Sequence, residues 1–170
     1  MILFLDTEWA DAFANEIVSL ALVSDCGRFE FYAERDPLPV DATAFVRTVV
    51  YPLLDRGDRA RVDADFTRSL HEFFGEVQRA SRPDRITVAY DHRNDLDLLG
   101  IALDAFGLPE TPLRPAFDEL PLMTLGMEYQ QAIETLFAAD ARTSARRHHA
   151  LIDARVSRDA WRYVNGIGGS

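Results

Sequence analysis

The chain has 170 residues, 28 acidic and 18 basic, for a formal net charge of −10 at pH 7, and 48% of it is hydrophobic. That length suits one domain with its own core, and a lone cysteine, Cys26, excludes a disulfide framework and a cysteine-built zinc site. Every one of the basic residues is arginine. So acidic a body argues against tracking a long phosphate backbone by counterion release, but not against a site that brings its own metal cations, whose carboxylate holders add to the negative charge.

In chain order, MILFLDTEW opens with an apolar run suited to a buried strand. EIVSLALVSD and GRFEFYAE read as second and third strands around a turn at residues 25–27, giving an antiparallel meander. The opening run lacks the basic flank of a signal peptide and IVSLALV is too short to cross a bilayer, so the expectation is a soluble, cytoplasmic protein with no membrane partner. DATAFVRTVVYPLL has helical spacing at Phe45, Val49 and Leu53, and DADFTRSLHEFFGEVQRA has it at Phe66, Leu70, Phe73 and Val77. RITVAY reads as a strand, followed by a helix whose stripe of Leu96, Leu99, Leu103 and Phe106 stops at Gly107.

The proline-rich LPETPLRPAFDELP is expected to be a loop with one short strand; MTLGMEYQQAIETLFAAD and HHALIDARVSRDAWRYV are expected to be the last two helices, and residues 166–170 a flexible tail. A strand that returns through helices runs parallel to the first. The prediction is an α/β domain over residues 1–165, with a mixed central sheet whose first three strands are antiparallel, flanked by helices.

Three groups of residues carry candidate chemistry. Asp6 and Glu8 stand two apart on the first strand, so both carboxylates share a face, and crowded carboxylates suit hard divalent ions with a preference for oxygen. Asp91, Asp95 and Asp97 follow the RITVAY strand at its carboxyl end, where open α/β sheets place ligands; Asp95 falls in the first helical turn and Asp97 on a solvated face. An Asp there also stabilises a helix dipole without further duty. Near the C-terminus His148 and His149 precede Asp153 by five and four residues, a spacing that fits a proton acceptor beside a metal ligand and equally a polar pair on a surface helix.

Taken together, L-D-T-E at residues 5–8, an Asp after a central strand and H-x-A-L-x-D-A at residues 148–154 resemble the histidine branch of the DEDD 3′–5′ exonucleases, which have a ribonuclease H-like fold. The resemblance spans residues 3–161 and in size is to small bacterial exoribonucleases. It implies that Asp6, Glu8, Asp95 and Asp153 hold two Mg²⁺ or Mn²⁺ ions about 3.5–4 Å apart, with His148 as general base. It also implies release of nucleoside 5′-monophosphates from a single-stranded 3′ end, RNA preferred over DNA, with Thr7, Trp9 and His149 toward the substrate and Arg146 and Arg147 available to phosphate. A homodimer is compatible with it. The second motif departs from the family pattern of His-Asn, two residues, an aromatic and Asp: aligning the leucines of residues 90–99 nominates Asp95, whereas a Tyr-Asp pair, found in some small bacterial members, nominates Tyr90 and Asp91. The alternatives are a ribonuclease H-type endonuclease and a non-catalytic nucleic-acid-binding domain of the same fold.

Overall fold

The computed structural model describes residues 1–107 and 113–167. The expected meander is present: β1 (Ile2–Trp9), β2 (Ile17–Ser24) and β3 (Glu30–Arg35) pair antiparallel, β1 with β2 and β2 with β3. A two-residue strand, β4 (Ala60–Arg61), extends the β3 edge in parallel; nothing so short could be predicted from periodicity. Helix α1 (Asp63–Ser81) then crosses to β5 (Thr87–Tyr90), which lies parallel to β1 in the register Ile2↔Thr87 to Leu5↔Tyr90. Helix α2 (Arg93–Leu103) leads on toward β6 (Asp118–Pro121), parallel to β5, the short strand expected in the proline-rich segment. Residues 108–112 of that segment, and 168–170 of the expected tail, lie outside the described residues.

The sheet order is β4-β3-β2-β1-β5-β6. It is a mixed α/β sheet flanked by helices, compatible with a ribonuclease H-like fold. Helix α3 (Gly126–Ala139) follows a short turn of 3₁₀ helix at Leu122–Leu125, and is followed by α4 (Ala141–Ser144), whose start Asp140 caps by accepting the Thr143 amide at 3.0 Å. Helix α5 (Ala150–Val164) closes the domain. Among the described residues no helix is long and apolar enough to cross a membrane.

The alternation of β1 divides the core. Leu3 and Leu5 pack with Phe66, Leu70, Phe73 and Val77 of α1 and Leu96, Leu99 and Leu103 of α2, whereas Phe4 packs with Tyr129, Ile133 and Phe137 of α3 and Val156 and Ala160 of α5. The same alternation continues into the polar end of the strand. Asp6 and Glu8 therefore point to the α5 side, with Phe4, and Thr7 points to the α2 side.

Two expected stripes are corrected. Between residues 41 and 54 the residues turned inward are Ala42, Val46 and Val50, and Phe45 is 49% exposed. That face is the one that packs on Ala10 and Val18, and it runs into a π-helical turn at Val46–Val50, in which the Tyr51 amide bonds the Val46 carbonyl five residues back. In α2 the leucines are buried as expected, but the helix ends at Leu103, and Ala105 and Phe106 take left-handed φ of 55° and 54°. Phe106 reaches the core through that turn and meets Phe66 edge-on at 5.6 Å.

Candidate metal centre

The carboxyl ends of β1 and β5 and the first turns of α2 and α5 converge on one cavity of about 460 Å³. Asp6, Glu8, Asp91, Asp95, His148 and Asp153 all line it, with Thr7, Trp9 and Phe45. Asp97 is not among them; it is exposed and pairs with Arg93, as a solvated helix face predicts.

Each side chain arrives by a local cause. Asp95 is the third residue of α2, where it forms a capping box with His92: its Oδ2 accepts the His92 amide at 3.0 Å. Its Oδ1 accepts the buried Thr7 hydroxyl at 2.7 Å, so β1 and α2 are joined through the pair. Asp153 folds back over the start of α5 and accepts the His148 amide at 3.0 Å through Oδ2. To present that amide, His148 adopts a left-handed φ of 73°, a conformation a non-glycine residue holds only when its surroundings impose it. Its ring meets Phe45 edge-on at 5.1 Å on the cavity wall. Glu8, His148 and Asp153 offer ligand atoms within 4.8 Å of one another.

The electrostatics are those of carboxylates packed together without a compensating charge. Burial first, then repulsion from Asp153, Asp95, Glu8 and Asp91, raises the Asp6 carboxyl well above its ordinary value. Burial, then Asp153 and Asp95, carries Glu8 up to about 8. Burial raises Asp153 to about 7 against the opposing pull of the His148 amide and Arg147, and Asp95 to about 6 against the Thr7 hydroxyl and the His92 amide. Asp91 is raised by burial against the Tyr129 hydrogen bond. Asp6 Oδ2 and Asp153 Oδ1 are buried with no hydrogen-bond partner. Orphaned carboxylate oxygens of this kind are costly unless a proton or a cation meets them. Oxygen donors crowded on one cavity are the donor set of Mg²⁺ or Mn²⁺, so the residues fit such an ion.

His148 is held in the opposite sense. Burial, with Arg147 nearby, keeps its imidazole below the ordinary histidine value, hence neutral near pH 7.

The two histidines part company. His149 is 1% exposed and packs on Tyr32 with ring centroids 4.6 Å apart and planes tilted by 35°, away from the cavity that His148 lines. The expected substrate contact at His149 is therefore corrected: its ring is enclosed. It belongs to a second acidic cluster with Glu34 and Asp55. There Glu34 already accepts the Tyr32 hydroxyl and the Asp55 amide, both at 2.7 Å, and the Arg56 amide at 2.9 Å, while Asp55 accepts Arg146 at 2.6 Å. The two carboxylates are thus engaged and Arg56 and Arg146 balance their charge, while both ring nitrogens of His149 are buried without a hydrogen-bond partner. Arg147 is bound to Glu134 at 3.0 and 2.6 Å, so both arginines expected to be available to phosphate are engaged within the fold.

No protein-family model matches the chain, and no curated protein matches it. The site thus stands on its own geometry.

The sequence reading missed Phe45 as a wall of the cavity, because its helical spacing assigned it to the core. It also missed Tyr129, whose position in an amphipathic helix reads as core and whose hydroxyl gives no pattern. Asp91 was legible only as an alternative, yet it lines the cavity with Asp95.

Proposed function

We propose that this protein is a divalent-metal-dependent 3′–5′ exonuclease acting on single-stranded ends, RNA in preference to DNA. The observation that carries the reading is the convergence of Asp6, Glu8, Asp95 and Asp153 with His148 on one cavity, with two buried carboxylate oxygens left unpartnered. Asp6, Glu8, Asp95 and Asp153 would hold Mg²⁺ or Mn²⁺; the bonds that Asp95 accepts from Thr7 and His92 leave each oxygen a second lone pair and fix its orientation. When bound, the ions polarise the phosphate and make water acidic enough to be a nucleophile near neutral pH.

The remaining work belongs to the chain's own residues. His148, neutral near pH 7, accepts the proton of the attacking water as the phosphodiester is hydrolysed. It stands outside the regular part of α5, with a ring nitrogen within 4.8 Å of the Glu8 and Asp153 carboxylates, close enough to take a proton from a water held beside them. Trp9 and Phe45 give the mouth two aromatic faces on which unstacked bases can rest, a sequence-tolerant mode of holding a single strand. Among the described residues lining the cavity none is arginine, so attraction for a phosphate there depends on the ions. Substrate binding as well as turnover should then need metal.

The test is incubation of end-labelled RNA and DNA oligonucleotides with Mn²⁺ or Mg²⁺ and sizing of the products. A ladder shortening from the 3′ end is expected, with nucleoside 5′-monophosphates released. Internal cuts would assign the site to an endonuclease, and no cleavage with any metal would leave a binding domain.

A further inference from the structure

We infer that Tyr129 is a positioning residue of the metal centre, acting through Asp91, and that Asp91 is a further carboxylate of that centre. This rests on the metal-centre reading above and extends it to a residue on α3, a helix that among the described residues lends nothing to the cavity lining itself.

Tyr129 is fully buried, the largest of the side chains so enclosed, in a cluster that includes Phe4, Ala89, Leu122, Ile133 and Phe137, with Ser157 of α5 beside its hydroxyl. Phenylalanine would fill that space as well. The hydroxyl is spent instead on Asp91, donating to Oδ1 at 3.0 Å. A buried polar group of this kind costs stability unless paired, and here its partner is a carboxylate at the end of β5. The alternation of β5 explains how the two meet. Ala89 packs in the α3/α5 cluster and Tyr90 in the α1/α2 cluster, so Asp91 returns to the α3/α5 side, the side to which Asp6 and Glu8 point.

Asp91 and Asp95 therefore reach the cavity from opposite faces of the sheet, each with one oxygen held by a hydroxyl, from Tyr129 and Thr7 respectively. They differ at the second oxygen. Asp95 gives it to the His92 amide; the other oxygen of Asp91 accepts no hydrogen bond among the described residues and belongs to a side chain lining the cavity. By repulsion the two are matched, Asp95 acting on Asp6 and Glu8 and Asp91 on Asp6 and Asp153. By free acceptors the stronger claim is Asp91's. Both can serve a centre for two ions, and the tyrosine then does what hydrogen-bond partners of metal ligands generally do: it fixes the carboxylate's rotamer so that one oxygen faces the ion.

The test is Mn²⁺ binding by isothermal titration calorimetry to wild type, Tyr129→Phe, Asp91→Asn and the double variant, with thermal melts in chelator as a control on folding. Tyr129→Phe is expected to raise the Mn²⁺ Kd about 10-fold or more, the usual range for a lost partner of a ligand, and to add little in the Asp91→Asn background. The Mn²⁺ concentration giving half-maximal hydrolysis should shift upward in parallel, with most of kcat recovered at saturation. A Tyr129→Phe protein that loses melting temperature in chelator but keeps the wild-type Kd would make the tyrosine merely structural and overturn the inference. So would equal losses of affinity with and without Asp91. Wild type that binds no Mn²⁺ would instead overturn the metal centre itself. Should Tyr129→Phe fail to fold, Asp91→Asn alone decides: an unchanged Kd refutes the role of Asp91 and with it the path from Tyr129.

Discussion

Removing one proposed ligand, by Glu8→Gln, should stabilise the metal-free protein. Burial, followed by repulsion from Asp153 and Asp95, lifts the Glu8 carboxyl from 4.5 to about 8. A carboxyl with a folded-state pKa above its unfolded value binds more protons folded than unfolded, so stability is complete below about pH 4.5 and declines as the pH rises toward about 8. At pH 7.5, about three units above the unfolded value and still below the folded one, the cost is about 4 kcal/mol at 1.36 kcal/mol per unit. Water entry and relaxation at a cavity wall reduce such a figure, and about 2 kcal/mol is the effect expected.

Glutamine keeps the shape and cannot ionise. In chelator at pH 7.5 the variant should melt about 4–8 °C above wild type, given about 2–4 °C per kcal/mol for a chain of this length, and the gap should close near pH 4.5. Mn²⁺ at about 100 times its Kd adds about 2.7 kcal/mol to wild type, while the variant, short of one ligand, gains less, so the order of melting temperatures reverses or the gap collapses. The assay is thermal unfolding between pH 4.5 and 8 with chelator and with Mn²⁺. A variant that melts below wild type in chelator at pH 7.5, or gains as much from Mn²⁺ as wild type does, refutes the crowded-carboxylate account.

His148→Ala should lower turnover about 10²-fold with Mn²⁺ affinity nearly unchanged in calorimetry. His149→Ala should do the reverse of that, sparing turnover and costing about 2 kcal/mol in denaturant unfolding, since it empties a buried site against Tyr32. Thr7→Val removes the donor to Asp95 Oδ1 and should raise the Asp95 carboxyl further above about 6, displacing the acidic limb of the pH–rate profile upward; an unmoved limb counts against Asp95 as a ligand. Matched RNA and DNA oligonucleotides with 3′ overhangs of increasing length should be cleaved faster as RNA and hardly at all when blunt, and equal rates on blunt DNA would remove the proposed preference.

What could be read from the sequence, and what could not, follows from the range of the forces involved. Period two placed Asp6 and Glu8 on one face of β1 because a strand's alternation is local, and the structure continues that alternation from Phe4 as far as Glu8, where the register with β2 shifts. Parallel pairing of β5 with β1 followed from the intervening helix, again a chain-order constraint. The π turn at Val46–Val50 was invisible because the sequence offers two apolar stripes one residue apart, Phe45/Val49/Leu53 and Val46/Val50, and only packing against Ala10 and Val18 selects the second. That selection leaves Phe45 against His148, so the same tertiary choice that defeated the helical reading builds a wall of the cavity.

The two histidines make the point from the other direction. Regular helix geometry favours His149 as Asp153's neighbour, and it fails because α5 begins at Ala150, leaving both histidines outside the helix. The positive φ of His148 then directs the two adjacent rings apart, one to the cavity and one into the Tyr32 pocket. A residue's side is set by periodicity only while the element lasts; beyond its cap, the hydrogen bond from the His148 amide to Asp153 decides, and that bond also ties the backbone of the proposed general base to a carboxylate of the proposed metal centre. An ion held through Asp153 Oδ1, the oxygen without a hydrogen-bond partner, would leave the amide bond to Oδ2 that accompanies the left-handed turn of His148 in place, so one carboxylate can serve the ion and the base at once.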